Sequence, residues 1–334
     1  MFEHITPQSN IFEKSTVAII GDVMLDTFIY GSVDRISPEA PVPVLSIEKR
    51  THTFGGAGNV AMNLASLGAT PLLIGRVGRD DSQKKLFDMS STQGISTKYL
   101  IQSTVPTISK TRVVSQGQQI VRVDEETVES LDDITRAELI KHMKLVRKQA
   151  DIIIVSDYAK GLIDQSLLNE INKIWADGTI LVDPKPRKDI DYTGVTSMTP
   201  NLKEALEMIS DGAKVVKTDT DAEEVVTSLA ELFGLKSLLM TRAGDGMTLL
   251  NNGKIEHHKP IEKHEVRDVS GAGDTVISVL AAGMAAGLPL SESVDLANLC
   301  GGIVVAKTGT ATVSWPEVID GLKRTGKYPP YVFR

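Results

Sequence analysis

Cysteine is almost absent from this chain. A single thiol, Cys300, among 334 residues excludes an intramolecular disulfide framework and matches the usage of a reducing compartment. Its setting, Leu296-Ala-Asn-Leu-Cys-Gly-Gly-Ile-Val-Val, reads as core rather than nucleophile. Aromatic residues make up only 4%, too few for the stacking platforms that hold single-stranded nucleic acid. Positive charge is in deficit, with 36 Lys and Arg against 43 Asp and Glu, and no basic block exists to track a phosphate backbone. No apolar run approaches the ~20 residues of a membrane span. The start, MFEHITPQSNIFEKSTV, has neither the basic nor the apolar region of a signal peptide. The expectations are no nucleic acid, no membrane and a cytoplasmic location. Small anions stay open as ligands, because a local nest of N–H groups holds a phosphate on an acidic protein.

What is present is a globular composition, 41% apolar and 24% charged, in a chain long enough for a large core. Thr16-Val-Ala-Ile-Ile-Gly-Asp reads as a buried strand ending in a turn. From Ile36 to Phe54, Pro38, Pro41 and Pro43 forbid a helix and Val42–Ile47 alternates like an edge strand. Gly55-Gly-Ala-Gly-Asn opens a helix over Val60–Leu67 that Gly68 closes, and a further helix is expected from Ser82 to Gln93. Thr107–Ser115 and Gln119–Asp124 flank Gly117 as a hairpin. Ile134–Gln149, Asp151–Ser156, Gln165–Ala176, Thr179–Asp183 and Asn201–Ile209 then alternate helix and strand, and apolar helices follow over Asp274–Ala286 and Ser291–Lys307. The pattern predicts one three-layer α/β/α domain over 1–334 with a mostly parallel sheet. A small discontinuous β excursion, 36–54 plus 107–124, would stand off that core as a lid.

The chemistry concentrates in V-R-D-V-S-G-A-G-D-T-V, Val266 to Val276. A helix beginning inside Gly271, Ala272 and Gly273 offers its first N–H groups to an anion. Asp274 then stands at the edge of that cradle, either as a proton acceptor in phosphoryl transfer or as an acid that complements the helix dipole. Asp22 and Asp26 follow the first strand, where an open α/β sheet binds its ligands; Asp26 reads as an acceptor for sugar hydroxyls, and Asp22 either shares that task or caps a turn. Gly56-Ala-Gly-Asn-Val-Ala61 matches a dinucleotide fingerprint formally but follows the proline-rich excursion, the wrong context. Gly55, Gly56 and Asn59 read better as a surface for a polyol. Asn201 and Glu204 are spaced either to organise Mg²⁺ and phosphate or to form a helix capping box. Thr241, Arg242, Gly244 and Gly246 lie on a strand-to-glycine turn suited to a nucleotide phosphate. His257, His258 and His264 read as solvated rather than metal-binding.

Together these stretches resemble the ribokinase-like (PfkB) carbohydrate kinase family. Gly55-Gly-Ala-Gly-Asn59 fits its N-terminal glycine motif and Asp268-Val-Ser-Gly-Ala-Gly-Asp274 its C-terminal one, with N-x-x-E and T-R-x-x-x-G between them in order. Within the family, Gly21-Asp-Val-Met-Leu-Asp26, Arg35-Ile-Ser-Pro-Glu-Ala-Pro-Val-Pro-Val44, Ser156-Asp-Tyr-Ala-Lys-Gly161 and Val182-Asp-Pro-Lys185 look like the heptose 7-phosphate kinases of ADP-heptose synthesis. The absence of an H-x-G-H motif resembles the stand-alone or excised kinase form.

The resemblance implies Asp274 as general base and Gly271, Ala272 and Gly273 as anion hole. It implies Asn201 and Glu204 on Mg²⁺–ATP, and Thr241, Arg242 and Gly244 beside the nucleotide. Asp26, Gly55, Gly56 and Asn59 would hold the sugar, and Asp268 and Ser270 a monovalent cation such as K⁺. It also implies a homodimer formed through the β excursion. A substrate that already carries a phosphate needs cations, for which Arg112, Lys160 and Lys185 are candidates. Another PfkB sugar kinase, a non-catalytic sugar or nucleotide sensor, and a dinucleotide-dependent oxidoreductase remain alternatives. Departures are Ser270 where Thr is usual, and Ala159, Pro186 and Ala243 where Gly is common.

Overall fold

The computed structural model describes residues 9–209, 215–260 and 266–325. Strand β1 (Thr16–Gly21) turns at Asp22 into the long β2 (Val23–Ile36), which returns as the antiparallel β3 (Pro43–Gly56). Helix α1 (Ala57–Leu67) starts directly from the glycines and stops at Gly68. Next come β4 (Thr70–Val77), α2 (Asp81–Ser90) capped by the Asp80 side chain, and β5 (Tyr99–Gln102). The hairpin of β6 (Ile108–Ser115) and β7 (Gln118–Glu125) follows. Alternation then runs through α3 (Asp133–Val146), β8 (Ile152–Ser156), α4 (Gln165–Ile174), β9 (Thr179–Asp183), β10 (Ser197–Met198), α5 (Leu202–Met208) and α6 (Asp219–Phe233). The antiparallel β11 (Ser237–Thr241), β12 (Met247–Asn251) and β13 (Lys254–His258) precede α7 (Ala272–Ala285), α8 (Leu290–Val305) and α9 (Trp315–Arg324).

Six strands pair in parallel in the order β10-β9-β8-β1-β4-β5. The sheet is buried on both faces, which is why its strands read as continuous apolar runs. Val17 and Ile19 point into one cluster with α1, α7 and α8, while Ala18 and Ile20 point into the other with α3, α4 and α6. Each such Val or Ile contributes roughly 1.5–3 kcal/mol by burial. A bridge between Asn201 and Thr241 joins the β11–β13 sheet to this edge. The parallel register brings the carboxyl ends of β1, β8 and β9 together, so Asp22, Asp157 and Asp183 all leave the sheet at one side. Cys300 is buried, and burial pushes its thiol up to about 12, an inert core group. No helix among the described residues is long and apolar enough to cross a membrane.

The second sheet has the order β3-β2-β6-β7. It begins at Val23, earlier than 36–54 and 107–124 suggest, because the prolines after Ile36 mark the turn between two strands rather than the first strand itself. Helix ends also fall short of expectation: α2 stops at Ser90 and α4 at Ile174. Register pairs Asp26 with Lys110 and Phe28 with Arg112, so these side chains share one face. Val121 and Val123, paired with Val113 and Thr111, stand on the other face and are 46% and 48% exposed.

Candidate active site

Helix α7 begins at Ala272 with Gly271 as its N-cap at φ 79°, inside the span that the sequence indicates. A Cβ on Gly271 would lie 2.7 Å from Nδ2 of Asn59, so only glycine fits here. Around Gly273 the situation is reversed, with open space where a side chain would start. First-turn N–H groups lack intrahelical acceptors; here Ala272 N–H donates back to the Val269 carbonyl at 3.2 Å, and the space at Gly273 is open to an anion. Asp274 is only 4% exposed. Its Oδ2 accepts a hydrogen bond from Asn59 Nδ2 at 2.6 Å and its Oδ1 one from the Tyr158 hydroxyl at 2.9 Å. Burial pushes its carboxyl up to about 6; the two donors and Lys185 oppose that rise, while Asp26 adds to it. The group is therefore ionised at neutral pH yet far more basic than an exposed Asp.

Polar contacts between α1 and α7 hold this geometry. Thr275 Oγ1 donates to Asn63 Oδ1 at 2.9 Å, Asn63 Nδ2 donates to the Asn59 carbonyl at 2.9 Å, and Ser278 Oγ donates to the Val60 carbonyl at 3.1 Å. Asn59, expected to touch a polyol, is fully buried and turned onto Asp274 instead.

On the second sheet, Asp26 is 6% exposed and accepts from Arg112 Nη1 at 2.8 Å. Gly55 is small so that this carboxylate can lie against the backbone: a Cβ there would meet Asp26 Oδ2 at 2.6 Å. Gly56 sits at φ 57°, the turn out of β3. Arg112 stacks over Phe28 at 5.2 Å. Lys160 pairs with Glu126 at 2.6 Å, and Lys110 lies 3.5 Å from both Glu126 and Asp124. Asp22 is oriented differently. Its Oδ2 is taken by the backbone N–H groups of Tyr158 at 3.0 Å and Lys160 at 3.1 Å.

At the other end of the cleft, Asn201 and Glu204 form a capping box. Glu204 reaches beyond the box as well, because its Oε2 closes it while its Oε1 accepts from Lys185 Nζ at 2.5 Å. Lys185 thus lies toward this end and not beside Arg112 and Lys160. Burial would lower its pKa, but Glu204 and Asp183 outweigh that and hold it raised. Asp183, which sequence reasoning missed as a site residue, has its carboxyl raised well above the usual range by burial, then by Asp274 and Glu204. Tyr158 was missed as well. Both directly follow or end buried parallel strands, a position that marks a ligand-facing residue once strand order is known.

Thr241 ends β11, and Arg242 is buried, donating to Asp219 Oδ1 at 2.7 Å and to Thr248 Oγ1 at 3.2 Å. That leaves the open turn at Gly244, with Gly246 behind it against the His258 carbonyl, as the exposed part of this motif. Asp268 accepts from Ser270 N at 2.9 Å and Gly309 N at 3.0 Å, tying the segment before α7 to the one after α8. His257 pairs with Glu223 and His258 with Asp295, while His264 lies outside the described residues.

A buried, basic carboxylate beside a helix start that is open at Gly273 suits phosphoryl transfer, and the family description "pfkB family carbohydrate kinase" matches residues 14–318. The chain belongs to the pfkB carbohydrate kinase family. The bifunctional protein HldE of Caulobacter vibrioides is 44% identical over 312 residues, 92% of this chain and 63% of that protein. This kinase spans less than two thirds of the length of such relatives. Phosphofructokinase-2 of Escherichia coli, in complex with substrates and products, superposes with a TM-score of 0.78 at 16% identity, covering 93% of this chain and 99% of that one. Ribokinase of Arabidopsis thaliana, complexed with ribose and ATP, gives 0.73 at 18% identity over 92% and 99%. The fold is ribokinase-like, and membership implies a nucleoside triphosphate used with a divalent cation.

The residues at the nucleotide end fit such a cation. Among the described residues no group of three or more His, Cys, Asp or Glu forms a closed metal cage. Glu204 instead brings one carboxylate, held by Lys185 on Oε1 and by the Asn201 N–H on Oε2, to a site where phosphates and water would supply most of the ligands.

Proposed function

We propose that this kinase transfers the γ-phosphoryl group of Mg²⁺–ATP to the 1-hydroxyl of D-glycero-β-D-manno-heptose 7-phosphate, giving the 1,7-bisphosphate that leads toward ADP-heptose and the lipopolysaccharide core. Asp274, with one donor on each oxygen and the open space at Gly273 beside it, is the observation that carries the reaction type. The HldE relatives support the sugar. Asp26 and the small residues Gly55 and Gly56 hold the sugar against the second sheet. Asp274 takes the proton of the attacking hydroxyl as the amides of Gly271, Ala272 and Gly273 hold the transferring phosphoryl oxygens. Lys185 faces the same phosphate, and Asn201 and Glu204 orient the cation and its water. Thr241, Arg242, Gly244 and Gly246 border the nucleotide. A bound divalent cation supplies charge neutralisation on the phosphates. Asp268 and Ser270 would stand beside a monovalent cation, testable as K⁺-dependent turnover.

The reaction is tested by incubating the protein with Mg²⁺–ATP and the heptose 7-phosphate and reading ³¹P NMR. A second sugar-phosphate resonance coupled to the anomeric proton is expected. Turnover of fructose 6-phosphate or ribose with none on the heptose would sink the assignment. The second reading, another pfkB sugar kinase, would then stand.

For the 7-phosphate, Arg112 on the inner side of the second sheet and Lys160 on the loop after β8 are the cations of choice, with Lys110 of β6 sharing Glu126 with Lys160. Lys160→Ala should raise KM for the heptose phosphate about tenfold, the loss of one charge-assisted contact, and leave kcat nearly unchanged. Equal KM values in variant and parent would remove Lys160 from the phosphate site.

The second sheet also serves as lid and homodimer contact in this reading. Ile47 on one edge strand, 56% exposed, and Val121 and Val123 on the other leave apolar side chains open to a partner. Val121→Lys combined with Ile47→Glu should halve the mass seen by light scattering without loss of helical signal. A parent protein already at monomer mass would refute the dimer.

A further inference from the structure

Asp22 stands where β1 hands the chain to the second sheet, and it is only 3% exposed. Its carboxylate gathers the N–H groups of Tyr158 and Lys160 on one oxygen. Between them Ala159 adopts φ 56°, a left-handed conformation that alanine rarely takes, and its N–H donates to Asp157 Oδ1 at 2.8 Å. A strained turn of this kind persists only where its surroundings over-determine it, and two buried carboxylates do so here. The product of that restraint is the direction of one side chain. The Tyr158 ring, with Lys185 Nζ 5.6 Å above it, carries its hydroxyl to Asp274 Oδ1, opposite the Asn59 amide on Oδ2.

The geometry points to Tyr158 as a positioning residue for the base, and to Asp22 as the residue that positions Tyr158. The inference rests on Asp274 being the base. With a donor fixed on each oxygen, the carboxylate cannot rotate, and its remaining lone pairs keep one aim toward the acceptor hydroxyl. The charged and titratable groups that face it are Tyr158 after β8, Asp26 on β2, and Lys185 and Asp183 at the end of β9. Burial and Asp26 disfavour its ionised form, and Lys185 and the two donors favour it. Removing the Tyr158 hydroxyl strips one buried oxygen of its partner, which favours the protonated, inactive form. Asp22, for which the sequence left a sugar contact or a turn cap open, acts at one remove through the backbone of the loop.

The test is kcat against pH from 5 to 9, with Mg²⁺–ATP and the heptose 7-phosphate, in the intact protein and its variants. Tyr158→Phe should lower kcat about tenfold and move the acid limb upward by roughly half a pH unit or more, with KM for ATP unchanged. Asp22→Ala should move the limb the same way. Asp22→Asn, whose amide oxygen still accepts both N–H groups, should restore the parent profile, and it keeps the test open if Asp22→Ala does not fold. The double variant Tyr158→Phe with Asp22→Ala should be no worse than the worse single one, as expected of two members of one relay. A uniform fall in kcat at every pH for Tyr158→Phe overturns the inference. So does an additive double variant, or an Asp22→Asn protein whose sugar KM rises tenfold with an unmoved limb. Asp274→Asn run alongside separates the failures: retained turnover breaks the base assignment itself, whereas lost turnover with an unmoved limb in Tyr158→Phe breaks this inference alone.

Discussion

Asp274→Asn is expected to lose turnover by about 10³–10⁴-fold while making the protein more stable, the two effects arising from one cause. The change removes the proton acceptor and leaves the nucleotide contacts untouched, so ATP affinity should stay within a few-fold of the parent. The stability gain follows from the sign of the pKa shift. Burial raises the folded-state pKa from 3.8 to about 6, so the fold prefers the protonated carboxyl. Stability is then fully retained below the unfolded value and declines as pH rises through the window from 3.8 to about 6. Asparagine is uncharged at every pH, keeps an oxygen for the Asn59 amide, and can donate to the Tyr158 oxygen. The variant should gain about 1–3 kcal/mol at pH 8 and little at pH 4, measured by urea unfolding at both. The same shift sets the parent's kinetics, with kcat climbing through about pH 6 and flat above it until another group intervenes. A variant with no stability gain at pH 8, or with turnover within tenfold of the parent, would remove Asp274 from the role of a buried base.

Local signals carried much of the fold and one half of the site into view. Gly271 and Gly68 bracket helices because backbone geometry at those points is a property of single residues, and α7 and α1 came out within a few residues of expectation. Thr179–Asp183 emerged unchanged as β9, since a buried parallel strand is a short apolar run with polar ends. What was illegible depends on residues far apart in the chain. Asn59 faces Asp274 across 215 positions, and only the packing of α1 on α7 decides that its amide meets a carboxylate and not a sugar. Tyr158 and Asp183 enter the site because β8 lies beside β1 and β9 beside β8, which no local pattern states. Lys185 looked like a cation for the distal phosphate until the loop after β9 brought it to Glu204. Asp22 and Asp26, four residues apart, divide into a loop clamp and a cleft residue, because Asp26 faces Arg112 on β6 while Asp22 is enclosed under the 158–160 turn.

Two alanine substitutions two residues apart should have opposite effects on the fold and the same effect on the chemistry. Gly271→Ala meets two penalties. A φ of 79° costs an L-residue about 1–2 kcal/mol, and the new Cβ would sit 2.7 Å from Asn59 Nδ2 with Thr310 Cγ2 at 3.3 Å closing the other side. Asn59 cannot yield without releasing Asp274, so kcat should fall roughly 10²–10³-fold, the scale of a misplaced anion hole, along with a loss of about 1–3 kcal/mol in stability. Gly273→Ala meets neither penalty, because its Cβ enters open space within α7. Alanine is the better helix former by about 1 kcal/mol, so the melting temperature should rise. The methyl group nevertheless stands in front of the amides, where the transferring phosphoryl group must approach, and kcat should drop at least tenfold with KM for the sugar little altered. Thermal melts and initial rates on both variants suffice to decide. Full activity in a stabilised Gly273→Ala protein would mean that the space before this helix start does not receive the phosphoryl group, whatever Asp274 does.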